Sequence, residues 1–495
     1  MKEVFIKIII LVILINCRVF GYCYSDICIK NEKNLSKETK NFLNLYKNKE
    51  LNDSDLNEMM KGLHDIYAKQ GEIISTVDIA DESLEKEKLI LYLKKAHINE
   101  IRGDKNYILS LPFTENQVLN IHKIDQLAEN LKTTLSEPEI LVLPSEKEGY
   151  YDIEIRTIRK KEFEGYVALD NNNYKDYGRE NLFVSLGRDN LLLPGDFMTI
   201  GLKERLTKNR KNHKERSYSF SYSFPVKSWK LSYDFSHEET SDKILKGEYT
   251  SRKDENIHNF QISKIFYRNN VQKSELFLGM RMKDTKNYFN DIQLDVSSKR
   301  HNNAVAGIRT TYYIENGVIY FEPSIEKGIA LFGGEGNEKN GETLYPFDKE
   351  FSKYNLNLYL TKNFFPTKLG YFNYTLNILG SYSEDNLLDA NKFEMGGVDS
   401  VRGFKENTIK GDKGIYFSNT LTLERETLSP FIGLDFGISR DYYMENSDKL
   451  AGIAAGIKFN KGNLSGMLTF SKAVVRAKDM PKENNPVYFR VSYTF

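Results

Sequence analysis

The sequence predicts a transmembrane antiparallel β-barrel of about 16 strands, preceded by two small α+β modules. First, apolar and polar residues alternate with a period of two from about Glu162 to the last residue, Phe495. Second, the aromatic content is of the strand-forming kind: 31 Tyr and 30 Phe stand beside one Trp in 495 residues, with only 11 Pro. Third, the chain ends on an alternating strand, Val487, Phe489, Val491, Tyr493 and Phe495, with the terminal Phe on the apolar face. A set of soluble β-sandwiches carries the same alternation. Lopsided connections favour the barrel: some are tight, whereas Gly333–Phe347 and Lys405–Lys413 are long and polar.

At the N-terminus, Lys2 and Lys7 precede an apolar run, Ile8–Ile15, that is too short to cross a bilayer. Residues 1–21 read as a secretory signal peptide cut after Gly21. Export leaves Cys23 and Cys28 in an oxidising space, where a short-loop pair is open to them. Neither has metal-ligand spacing with a His, and a structural or unpaired role is expected. Helices are expected from Ser36 or Lys37 to Lys47 and over Ser54–Lys69. The second places Leu56, Met59, Met60, Leu63, Ile66 and Tyr67 at helical spacing, with Ser54 as N-cap and Gly71 as its stop. Ile73, Ser75, Val77 and Ile79 begin a strand, and Leu93–Ile101 holds another. A shorter version of this module follows, with a helix over Val118–Leu135 and strands at Ile140–Leu143 and Tyr151–Ile158. The expected domains are therefore 22–103, 104–160 and a barrel over 161–495.

Within the barrel region the alternation is plainest at Tyr218, Phe220, Tyr222 and Phe224. It recurs at Trp229/Leu231/Tyr233/Phe235, Leu276/Leu278/Met280/Met282, Ile292/Leu294/Val296, Leu356/Leu358/Leu360 and Phe372/Tyr374/Leu376/Ile378. Lys and Arg total 70 against 69 Asp and Glu, so no basic excess exists for grasping nucleic acid. No phosphate-binding G-x-x-x-x-G-K-[ST] loop, H-E-x-x-H pair or G-x-S-x-G elbow occurs. Neither an enzyme nor a cofactor is expected.

The informative segment runs from Phe393 to Phe404 and contains Gly396-Gly397 and Val401-Arg402-Gly403-Phe404. Here the alternation breaks, two glycines permit unusual backbone angles, and an Arg precedes a glycine and an aromatic. A surface hairpin with a solvated Arg carries the same letters. Downstream, Ile432, Leu434, Phe436 and Ile438 form an apolar face. Asp435 points to the other side, between Gly433 and Gly437, where a folded-in loop has room to approach.

In their order and spacing these segments resemble the outer-membrane transporters of two-partner secretion, the haemolysin secretion/activation family. Tyr67–Thr76 is similar to a landmark of the family's first polypeptide-transport-associated (POTRA) domain, and Leu119–Ile121 with Ile124–Leu131 to the opening of its second. Asp170-Asn171, Asp189-Asn190, Pro194-Gly195-Asp196 and Phe224-Pro225 resemble its first barrel hairpins. The resemblance implies two periplasmic POTRA domains and a 16-stranded barrel in the outer membrane of a Gram-negative-type cell. It implies that a long outer loop folds back into the lumen, with Gly396 and Gly397 followed by a tip of Val401, Arg402, Gly403 and Phe404. Asp435 is then the wall acid that pairs with Arg402. The implied partners are a secreted exoprotein, haemolysin- or adhesin-like and recognised unfolded through the POTRA domains, together with outer-membrane lipid and the barrel-assembly machinery. That machinery would read a C-terminal signal at Tyr493 and Phe495. The chain departs from the family in two places. Its first strand starts near Asp26, so no N-terminal plug helix is expected, and Gly433 stands where an aromatic is usual. A barrel-assembly insertase is the alternative reading, although such insertases usually carry more POTRA domains than the two that fit here.

Overall fold

The computed structural model describes residues 22–32, 34–80, 88–173, 178–207, 212–244, 248–295, 297–337 and 347–495. The expected signal peptide lies outside the described residues, as does the middle of the Gly333–Phe347 connection. Two compact units are present, one comprising residues 22–105, 112–129 and 138–156, the other 106–111, 130–137 and 157–495.

Two three-stranded sheets precede the barrel in sequence, and they share one strand order. In the first, Lys88–Lys94 is central, parallel to Asp26–Lys30 and antiparallel to Thr76–Ile79. In the second, Tyr150–Arg159 is central, parallel to His97–Gly103 and flanked on its other side by Ser136–Pro144. The internal repeat is thus clearer in topology than in letters. Helices Lys37–Asn44 and Asp53–Lys69 cover the first sheet. Leu43, Leu56, Met59, Leu63 and Tyr67 are buried there with Ile27, Ile29, Val77, Leu89, Leu91 and Leu93.

Several expected boundaries move, each for a local reason. The second helix starts at Asp53, not Ser54, because Asn52 is its N-cap. Asn52 Oδ1 accepts from Asp55 N at 3.0 Å while Asp55 Oδ2 accepts from Asn52 N at 2.9 Å, a reciprocal capping box. The first helix ends at Asn44, short of Lys47. The strand expected from Ile73 begins at Thr76, since Ser75 N turns back to Glu72 O at 3.2 Å. The single strand expected over Leu93–Ile101 is two, because the chain leaves one sheet at Lys94 and enters the next at His97. The third helix is confined to Ile121–Leu131: Val118 bridges His97 and Leu119 N bonds Ala96 O, which draws the residues before it into extended backbone. Cys23 and Cys28 are free thiols.

Sixteen antiparallel strands close the barrel, from Glu164–Asp170 to Val487–Thr494, each beside its neighbour in sequence. The first and last strands pair from Asp170↔Arg490 to Tyr166↔Thr494. The strand expected at Ile292/Leu294/Val296 is a two-residue extension, Ile292–Gln293, folded onto Tyr288 and Phe289. Leu294 already lies in its turn, and Val296 is outside the described residues. Apolar residues face outward. On Leu428–Arg440, Ile432, Leu434, Phe436 and Ile438 are exposed, whereas Ser429, Phe431, Asp435 and Ser439 are buried. A sheet with an apolar outside needs closure, because an unpaired edge in hydrocarbon leaves backbone groups without partners.

Candidate functional site: a loop seated on the inner wall

Residues 383–412 connect the strands Gly370–Tyr382 and Lys413–Glu424. Within this connection Phe393–Met395 pairs antiparallel with Ile409–Gly411 to form a small hairpin, and the tip between them reaches the inner wall. Gly396, Gly397 and Gly403 have φ of +118°, +110° and +111°, a region that disfavours side chains. At Gly403 there is a second reason for glycine: a Cβ would lie 2.7 Å from Ala473 N. Val401 and Phe404 are buried in one apolar cluster with Phe393, Met395, Ile409, Tyr416, Leu450 and Met480.

Arg402 and Asp435 meet directly. Arg402 Nε donates to Asp435 Oδ2 and Nη2 to Oδ1, both at 2.6 Å, and Arg402 N donates to Oδ2 at 3.0 Å. Ser418 Oγ and Asn419 N donate to Oδ1 at 3.0 and 3.2 Å, so a fully buried carboxylate is saturated with donors. Nη2 also donates to Asn419 O at 2.8 Å. The planar guanidinium fork sets direction as well as distance, which a point charge would not. At Gly433, where the resemblance implies an aromatic, the structure leaves no room for a side chain. A Cβ there would stand 2.2 Å from Arg402 Nη2, so the guanidinium occupies the space a side chain would need. At Gly452, on the adjacent strand, a Cβ would meet Arg402 O at 1.6 Å.

The structure adds two anchors that no motif nominated. Glu483, in the connection before the last strand, accepts from the backbone N–H of Lys405 (2.7 Å), Glu406 (3.1 Å) and Asn407 (3.0 Å), and from Asn407 Nδ2 (2.9 Å). Asp412, fully buried at the loop's base, accepts from Leu387 N and Tyr442 N, both at 2.7 Å. Tyr488 Oη donates to Phe404 O at 2.9 Å. Acids in polar connections carry no sequence signal that separates these two from the rest. Tyr493 and Phe495 lie elsewhere, on the outward face at the closing seam, with rings stacked at 6.1 Å. The arrangement around Arg402 fixes one segment of chain inside a tube.

A closed sixteen-stranded barrel with an apolar exterior and a loop seated on its inner wall belongs to the class of outer-membrane barrels. The family described as haemolysin secretion/activation protein ShlB/FhaC/HecB matches residues 149–459, and the ShlB-type POTRA domain matches residues 24–95. The chain is 26% identical to the outer membrane transporter CdiB of Escherichia coli over 96% of this chain and 83% of that one. It is also 26% identical to the hemolysin transporter protein ShlB of Serratia marcescens, over 90% of this chain and 81% of that one. The solved structure of CdiB from Escherichia coli has the same fold, with a TM-score of 0.86, 23% identity, and coverage of 96% and 91%. The chain belongs to the haemolysin secretion/activation family of outer-membrane transporters, with its POTRA region in the periplasm.

Proposed function

We propose that this chain recognises one partner exoprotein in the periplasm and passes it unfolded through its barrel to the cell surface, without nucleotide hydrolysis. In this reading residues 1–21 are the leader, 22–103 and 104–160 are the two POTRA domains, and 161–495 is the pore. The cargo is a haemolysin- or adhesin-like protein, the first of these being the class that the name of one relative, hemolysin transporter protein ShlB, carries. Edge strands such as Thr76–Ile79 and Ser136–Pro144 offer unpaired backbone to which an extended signal can add. Folding of the exported chain outside removes it from the translocation equilibrium and supplies the driving force. The observation that carries the proposal is the loop tip held on the wall by Arg402 and Asp435: a segment seated this specifically inside the tube is built to control passage. Deleting the protein tests it. Surface exoprotein should vanish while other outer-membrane barrels keep their levels; a general fall in those barrels would instead support an assembly insertase.

A further inference from the structure

Two segments that precede the first barrel strand bond to the barrel's tight turns. Asn130 Nδ2 donates to Lys227 O at 2.7 Å, and Ser110 Oγ donates to Pro194 O at 2.8 Å. That end is the periplasmic one, so the strand ends at Tyr382, Lys413 and Arg440 mark the outer rim. On the outward face at this rim lies a groove of about 510 Å³. Gly380 lines it without a side chain, and Leu356, Ile415 and Ile438 supply apolar walls. Tyr382, Lys413 and Arg440 form one cross-strand row above it, Tyr382↔Lys413 and Lys413↔Arg440 being direct partners. Lys449 stands opposite Ile438 on the same face.

Lys413 is balanced in part by Glu384, at 2.7 Å, and lies 4.7 Å from the centroid of the Tyr382 ring. Arg440 and Lys449 are exposed and have no ion-pair partner among the described residues. Like charges directly opposite on neighbouring strands are unfavourable. An anion between them reverses that sign. The position on the barrel says which kind of anion. The outward apolar row of this strand ends at Ile438, and Arg440 follows about 7 Å further along. The cations therefore stand where hydrocarbon gives way to headgroups.

We propose that this groove binds a phosphorylated lipid of the outer leaflet, with an acyl chain over Gly380 and the phosphate between Lys413 and Arg440, beside Lys449. Guanidinium suits phosphate because its fork donates to two oxygens at once, and the apolar walls bury methylenes of the chain. The site is independent of the secretion reading.

The test uses the purified full chain in detergent micelles and native mass spectrometry. The probes are a hexa-acyl bis-phosphoryl glucosamine disaccharide lipid and its dephosphorylated counterpart. The wild type should retain the phosphorylated lipid roughly tenfold better, as expected for charge-assisted hydrogen bonds. Arg440→Gln combined with Lys449→Gln changes only exposed side chains and should reduce retention to the dephosphorylated level. Gly380→Leu fills the groove and should lower retention of both lipids, with heat-modifiability confirming a folded barrel. Equal retention of the two lipids, an unchanged double variant, or displacement by an equal concentration of inorganic phosphate would each overturn the proposal.

Discussion

Asp435 is surrounded by donors that do not depend on the Arg402 side chain: Arg402 N, Ser418 Oγ and Asn419 N all point at its carboxylate. A buried ion pair adds little net stability, but removing one partner strands the other at a cost of about 3–5 kcal/mol. Arg402→Ala and Asp435→Ala should therefore leave a heat-modifiable barrel and sharply reduce secreted relative to cell-retained exoprotein. Arg402→Lys should fail in part, keeping charge without the fork. The reciprocal exchange Arg402→Asp with Asp435→Arg should not recover secretion, because an Arg at 435 would face those remaining donors. Gly433→Ala should mimic Arg402→Ala, since a methyl there overlaps the guanidinium. Full secretion by Arg402→Ala would remove the loop from the mechanism. The acid and the loop arginine were legible in the sequence, one through alternation and the other through the family resemblance. The reason for Gly433 was not, because a missing side chain shows what it makes room for only once the neighbour is in place.

At the scale of elements, legibility follows periodicity. Barrel segments such as Trp229–Phe235 and Phe431–Ser439 repeat every two residues against an apolar exterior, and their faces could be assigned from letters. Helix starts were harder, because Asn52, Asp53 and Ser54 are all good caps and only the reciprocal bond with Asp55 selects Asn52. The change of sheet at Lys95-Ala96 left no mark, since apolar residues lie on both sides of it. Hardest of all was Glu483, which lies 78 residues from the first amide it holds. Three successive backbone N–H groups converge on its carboxylate, a compact anion seat that tethers the connection before the last strand to the loop just after its tip. Glu483→Ala should release the loop segment Lys405–Asn407 without disturbing the Arg402 contacts. Limited proteolysis from outside the cell should then cut that segment several-fold faster, and secretion should fall less than in Arg402→Ala. Glu483→Asp, whose shorter side chain still carries the charge, should restore part of the protection, whereas Glu483→Leu should not. Equal cleavage of wild type and Glu483→Ala would show that the remaining contacts hold this segment without Glu483.

For the whole molecule, one seam decides whether the tube exists. Interior strands pair over long registers, as from Ser251↔Phe289 to Arg268↔Lys273, but first and last strands meet only from Asp170↔Arg490 to Tyr166↔Thr494. Asn171 lengthens the seam at one end, its Oδ1 accepting from Phe489 N at 2.9 Å and its Nδ2 donating to Val487 O at 3.0 Å. Phe495 lengthens it at the other. Its N donates to Gly165 O and its O accepts from Gly165 N, both at 2.9 Å. Its ring lies over Gly165, where a Cβ would stand 2.1 Å away, so the final side chain caps the seam as well as lengthening it. Removing Phe495 deletes both hydrogen bonds and the ring together, at the shortest pairing in the barrel and next to lipid, where water cannot satisfy the exposed groups. The truncated chain should accumulate less heat-modifiable barrel and more protease-sensitive material in the periplasm. Phe495→Ala keeps the backbone bonds and should fall between truncation and wild type; Gly165→Ala should resemble it, because the methyl displaces the same ring. Wild-type barrel levels in the truncated chain would mean that closure and assembly depend on the pairing from Arg490 to Thr494 and not on the last residue.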